Sequence, residues 1–164
     1  VTSAEGRTID GSDWDLPSPA LTQLVVAAGD IDAYDHVNNA VYVTWLDRAA
    51  WEHSARLGLP IERCLELDRG MAVLRTVLAY LRPALLGDAV TVATWLLPTD
   101  LRLRARRRFQ VRRDADGATL LRAEIEYVCI ELSSGRPARA PADFRERYGP
   151  LPEVTMAHAG LPPL

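Results

Sequence analysis

The sequence predicts an α+β domain in which an antiparallel sheet wraps around one long central helix, and three observations carry that prediction. Apolar residues recur at helical spacing over one long span, from Asn39 to about Leu57, at Tyr42, Leu46, Ala49, His53 and Leu57. Strand-like runs then follow at 71–80, 89–97, 101–113 and 119–131 with no second long helix among them. A further apolar run at 21–28 precedes the helix, so one strand, one helix and a set of antiparallel strands have to share a core.

Taken in order, residues 1–20 are rich in Ser, Asp, Gly and Pro and read as a flexible arm. The first strand leads into a polar turn at 29–39, where Asn38 and Asn39 are suited to cap the helix. Gly58 followed by Pro60 is a stop signal for that helix. Asp114-Ala115-Asp116-Gly117 reads as a hairpin turn between the last two strands. A short helix at 142–148 closes a single domain over 21–148, and the Pro-rich tail at 149–164 reads as a second flexible segment. The sheet is expected to leave exposed edges, which favours a homodimer or homotetramer.

Composition narrows the function classes. A chain of 164 residues with 48% hydrophobic and 25% charged residues is ordinary for one globular domain. No apolar run approaches the ~18 residues of a membrane span, and no signal peptide is legible, so the expected setting is cytoplasmic with no membrane partner. A net charge of −3 argues against general nucleic-acid binding, although all 19 basic residues are arginine. Cys64 and Cys129 stand far apart and read as reduced, buried thiols. No cluster of His, Cys or acids has metal-ligand spacing, so neither metal nor cofactor is expected. The G-x-S-x-G elbow and other Ser- or Cys-centred nucleophile motifs are absent.

Chemistry concentrates in the turn Gly29-Asp30-Ile31-Asp32-Ala33-Tyr34-Asp35-His36-Val37-Asn38-Asn39. A helix N-terminus presents unpaired N–H groups, so a carboxylate beside it places a nucleophile or base next to an oxyanion donor. This is the requirement of acyl transfer. From position alone, Asp32 is either that carboxylate or an ordinary turn-capping acid. His36 either assists it or serves the turn, and His53 reads as a packed core histidine.

Three ordered segments resemble a known family, the hotdog-fold acyl thioesterases, in particular the 4-hydroxybenzoyl-CoA and acyl-ACP thioesterase branches. They are Gly29-Asp30-Ile31-Asp32 with His36-Val37-Asn38-Asn39, Tyr42 and Trp45-Leu46-Asp47; Tyr80-Leu81-Arg82-Pro83 through Gly87-Asp88; and Gly135-Arg136-Pro137 through Pro141. The resemblance implies a single hotdog domain that hydrolyses an acyl or aroyl thioester of coenzyme A or acyl carrier protein. It implies Asp32 as nucleophile or general base, the backbone N–H at Asn39 as oxyanion donor and His36 as a helper. Tyr34, Asn38 and Tyr42 then fall at substrate-binding positions. Tyr34 stands where plant acyl-ACP thioesterases carry Asn, and Asp35 stands where many relatives carry Gly or Gln.

Arg102, Arg104, Arg106 and Arg108 alternate, which places them on one strand face, with Arg107 nearby. Such a face is either a phosphate contact for coenzyme A or a phosphopantetheine arm, or a solvated face that blunts aggregation. The first reading adds Arg102, Arg104 and Arg106 to the substrate-binding set. Two alternatives to hydrolysis share the fold. A hotdog hydratase or dehydratase uses a G-D-x-N-P-x-H type of string that this turn lacks, and a non-catalytic acyl-binding protein has no need of Asp32.

Overall fold

The structure, a computed structural model, describes residues 14–161 and residue 164. Five antiparallel strands, β1 (Ala20–Val25), β2 (Arg69–Tyr80), β3 (Ala89–Leu97), β4 (Arg104–Arg113) and β5 (Thr119–Glu131), form one sheet in the order β1-β3-β4-β5-β2. Four helices, α1 (Asn39–Arg56), α2 (Ile61–Glu66), α3 (Ala142–Arg147) and α4 (Pro152–His158), accompany it. The α+β layout expected from the sequence is therefore the one observed.

Helix α1 forms where the apolar spacing demands it. Tyr42, Trp45, Leu46, Ala49, Ala50 and Ser54 are its buried residues, a stripe at three- and four-residue intervals. That stripe packs on the inner sheet face against Val90 and Val92 of β3, Phe109 and Val111 of β4, and Leu121 and Ala123 of β5. The Asn38 Oδ1 cap accepts from Ala40 N at 2.9 Å and starts the helix. Gly58, at φ 82°, ends it in the left-handed conformation that glycine adopts without a Cβ clash.

Strand register decides which side chains reach that core. Across β3, β4 and β5, Leu96, Arg107 and Ile125 share one row and Thr94, Phe109 and Ala123 another, all on the helix side. The alternate parity faces outward, where Ala93, Trp95 and Leu97 bury a second cluster with Trp14, Leu16 and Val154. The Trp95 indole donates to Pro17 O at 2.8 Å. Asp15 pairs with Arg122 at 2.7 Å and with Arg108 at 3.5 Å. Burial raises the pKa of Asp15, but the two guanidinium groups outweigh it and hold the carboxyl below its ordinary value.

These contacts revise the expectation for both ends of the chain. Of the flexible arm read over 1–20, the first 13 residues lie outside the described residues, whereas Trp14 and Leu16 are buried on the sheet. The tail read as flexible instead forms α4, with Pro152 in its first turn, where a missing N–H costs nothing, and Val154 buried. Other boundaries move as well. The first strand stops at Val25 because Ala28–Asp30 forms a 3-10 turn, closed by Ala27 N donating to Asp30 Oδ2 at 2.9 Å. Strand β4 starts at Arg104, not at residue 101, because Leu101 turns at φ 46° and Arg102 N donates to Asp100 Oδ1. The hairpin at 114–117 forms as expected, with Gly117 at φ 69° and Ala118 N donating to Asp116 Oδ1.

Candidate active site

The polar turn is a compact knot rather than a loose loop. Ile31 and Val37 form an isolated antiparallel bridge, Asp32 N donates to His36 O at 2.8 Å, and Asn38 N donates to Asp30 O at 2.8 Å. Val37 is buried and its N–H donates to Ala84 O at 3.0 Å, which ties the turn to the segment between β2 and β3. Asp35 bends the tip at φ 60°. This is why glycine suits that position, and aspartate is one of the few other residues that tolerates it.

Asp32 is half-buried, and its Oδ1 accepts from Tyr34 N at 2.8 Å, which fixes the carboxylate while Oδ2 has no partner among the described residues. At the start of α1 the Ala40 N–H is taken by the Asn38 side chain and the Val41 N–H by Asn38 O at 2.9 Å. Of these first-turn donors, the Asn39 N–H is the one with no acceptor among the described residues. Asp32, Tyr34, His36, Asn39 and Tyr42 line one open cleft of ≈ 400 Å³, together with Tyr80 and Arg82. Asn38 stands at its edge as the cap.

The remaining groups of the turn divide sharply by environment. Tyr34 is 82% exposed and His36 is exposed too, with no hydrogen bond from its ring to Asp32. Tyr42 is buried: its hydroxyl accepts from Ala84 N at 2.9 Å, its ring meets Tyr80 edge-on at 5.6 Å, and burial pushes its pKa up. Tyr80 donates to Asn39 O at 2.9 Å, so the end of β2 braces the first turn of α1.

The arginine strand does not join this cleft. Arg104 pairs with Glu126, and Arg106 and Arg108 pair with Glu124 at 2.7 and 2.8 Å, all on the outer sheet face. Their cross-strand neighbours on β5 are acidic at the same parity, so Arg104 and Arg106 are spent on the sheet itself. Arg102 lies before the strand and is exposed. The cation that does line the cleft is Arg82, whose side chain has no partner among the described residues. It sits inside the Tyr80-Leu81-Arg82-Pro83 segment, and its place next to the turn was the signal available in the sequence.

Sequence reasoning placed Arg107 only near the arginine face and missed its inward side chain. Its parity with Ala105, Phe109 and Val111 turns it inward, and it is 2% exposed. Its Nη1 contacts His53 Nδ1 at 2.9 Å, its Nη2 donates to Ser54 Oγ at 3.0 Å, and its guanidinium lies 5.2 Å from the Tyr148 ring centroid. Ser54 spends its own proton on Ala50 O at 2.8 Å, so Tyr148 is the donor in the 2.6 Å contact between the two hydroxyls. His53, the expected core histidine, has its pKa pushed down to about 4 by burial first and by Arg107 and Arg56 next.

Comparison with known proteins agrees with this architecture. The family described as the thioesterase-like superfamily matches residues 26–148. The long-chain acyl-CoA thioesterase FadM of Escherichia coli (strain K12) is 26% identical over 130 residues, covering 77% of this chain and 94% of FadM. Among solved structures, YbaW, a probable thioesterase from Escherichia coli, superposes with a TM-score of 0.67 at 25% identity, covering 78% of this chain and 95% of YbaW. Slr0204, a 1,4-dihydroxy-2-naphthoyl-CoA thioesterase from Synechocystis, gives a TM-score of 0.71 at 17% identity over 80% of this chain and 96% of its own, a likeness of the hotdog fold alone. Because the family match runs unbroken through the turn, α1 and strands β2 to β5, this chain belongs to the thioesterase-like superfamily.

Proposed function

We propose that this chain hydrolyses an acyl thioester of coenzyme A in the cleft beside Asp32, with Asp32 as the catalytic carboxylate and the Asn39 N–H as oxyanion donor. Thioester hydrolase is the activity that family membership carries. Coenzyme A as the carrier follows from FadM, which is named for acyl-CoA. One observation supports the residue roles above all: an unengaged Asn39 N–H and a free Asp32 oxygen line the same cleft. As general base, Asp32 takes a proton from water while the new C–O bond forms, and the oxyanion develops toward Asn39. Collapse of that adduct breaks the C–S bond, and the departing thiolate recovers the proton. As nucleophile, the same carboxylate forms an acyl anhydride that water then opens.

His36 sits at the mouth of the cleft, where it can hand protons to solvent, and Asn38 holds the donor in place. Tyr34 and Tyr42 would flank the substrate from outside and inside respectively. Arg82 would meet a phosphate of coenzyme A. Among the described residues strand β2 is a free sheet edge, and it leaves Val73 and Leu74 exposed, which supports a homodimer paired along that edge. Thiol release measured over coenzyme A and carrier-protein thioesters of several acyl types is the test. The expected result is turnover of coenzyme A thioesters that Asp32→Asn lowers by about 10²–10⁴-fold, the range for a lost general base, with the fold intact. Full activity in that variant would overturn the assignment, and ¹⁸O found in the Asp32 carboxylate after single turnover in ¹⁸O water identifies an anhydride opened at the Asp32 carbonyl.

A further inference from the structure

A buried guanidinium needs a negative partner, and Arg107 has none within ion-pair distance among the described residues. A charge removed from water costs several kcal/mol unless it is compensated. The strand neighbours of Arg107 are Leu96 and Ile125, and no carboxylate lies within 4 Å of its guanidinium among the described residues. Its two acceptors, His53 Nδ1 and Ser54 Oγ, are neutral groups, so they satisfy hydrogen bonds without balancing the charge. Two of the five guanidinium donors are thereby engaged.

Beside this cation lies a small cavity of ≈ 70 Å³, separate from the cleft at the turn and lined by Arg107, Ser54, Tyr127, Trp51, Val73 and Asp47 among others. Tyr127 is buried, and its hydroxyl has no hydrogen-bond partner among the described residues. Burial next to such a cavity raises the Tyr127 pKa steeply, so the hydroxyl stays a donor. The cavity therefore offers a cation and a neutral donor against apolar walls, in a space of a few heavy atoms. Asp47 also lines the cavity and its charge adds to the rise in the Tyr127 pKa, but it is exposed, whereas Arg107 is buried and within reach of the same space.

We propose that this cavity is a carboxylate-binding site, with Arg107 as counter-ion and Tyr127 as hydrogen-bond donor, and that it takes the far-end carboxylate of an ω-carboxyacyl thioester. The choice of that source rests on the thioester reading above, whereas the site itself does not. Both places lie along α1, with Asn39 at its first turn and Asp47 about two turns further on, roughly 12 Å at 1.5 Å per residue. An acyl chain of that order, seated with its carbonyl at Asn39, has the length to reach the cavity.

The test compares kcat/KM for ω-carboxyacyl and methyl-terminated coenzyme A thioesters of matched length, from octanoyl to hexadecanoyl. In parallel, thermal stabilisation of the protein by free hexanoate is compared with that by 1-hexanol. Wild-type protein is expected to favour the ω-carboxy substrate by roughly tenfold or more at one length, since hydrogen bonds to charged groups are the strong ones. Arg107→Met and the near-isosteric Tyr127→Phe are expected to bring that ratio toward one, and the second variant serves if the first fails to fold. Stabilisation by hexanoate but not by hexanol, lost in Tyr127→Phe, supports the site even if no thioester is turned over, and that result separates failure of the hydrolase reading from failure of this one. The same stabilisation without any substrate preference assigns the site to a free carboxylate. A ratio at or below one at every length, with hexanoate no better than hexanol, overturns the proposal.

Discussion

Acidification should cost this protein stability through His53, and the size of the effect follows from its surroundings. Arg107 Nη1 can only donate, so His53 Nδ1 must be unprotonated and accept. Protonating the imidazole would turn that contact into two opposed donors and two like charges. Its pKa is accordingly lowered from 6.5 to about 4 in the fold. Between those values the unfolded chain binds a proton that the folded chain refuses, so stability rises with pH across the window and is lost as pH falls through it. At about 1.4 kcal/mol per pH unit the displacement corresponds to roughly 3 kcal/mol, and because part of the ring meets solvent, about 2 kcal/mol is the expected loss. Urea denaturation from pH 7.5 to 4 measures it, with His53→Asn as the control. An asparagine amide oxygen can replace Nδ1 as acceptor and does not titrate. Asp15 and Glu52, whose pKa values are lowered in the fold, add acid lability of their own, but equally in both proteins. The wild-type curve should therefore fall more steeply than the variant curve between pH 6.5 and 4. Parallel curves would refute the account of the His53–Arg107 contact.

Other expected outcomes concern charge and packing. Arg82→Ala should raise KM for a coenzyme A thioester several-fold and weaken its salt dependence, whereas Arg106→Ala, already committed to Glu124, should leave kcat/KM within about twofold. Steady-state kinetics at two ionic strengths distinguishes them, and the reverse ranking would return the outer strand face to the substrate. Val154→Ala should cost about 2 kcal/mol in chemical denaturation, the loss of two buried methyl groups plus the space they leave. An unchanged midpoint would mean that α4 is not part of the cooperative unit.

Which parts of this structure the sequence revealed depended on the length of the pattern. Helix α1 spans enough turns for its apolar stripe to stand out, and Asn38 and Gly58 mark both of its ends. Strands β3 and β5 are bounded by unambiguous turns and matched closely. Helix α2 has six residues, too few for a periodic signal, and it was not expected. Helix α4 was hidden by the same prolines that suggested a loose tail, although Pro152 sits where a helix accepts one. The candidate site was legible where it is local, because Asp32, Asn38 and Asn39 are close in sequence. It was not legible where it depends on strand parity. Alternation drew attention to Arg104, Arg106 and Arg108, and the same alternation, counted from Ala105, sends Arg107 to the opposite face.

The hydrogen bond between Ser18 Oγ and Glu153 Oε1, at 3.0 Å, joins the segment entering the sheet to the helix that follows it at the other end of the chain. Both segments lie over the outer face, on the far side of the sheet from α1. A protein engineer gains a handle from this arrangement: a surface tether attached near either segment would leave the turn cleft facing solution.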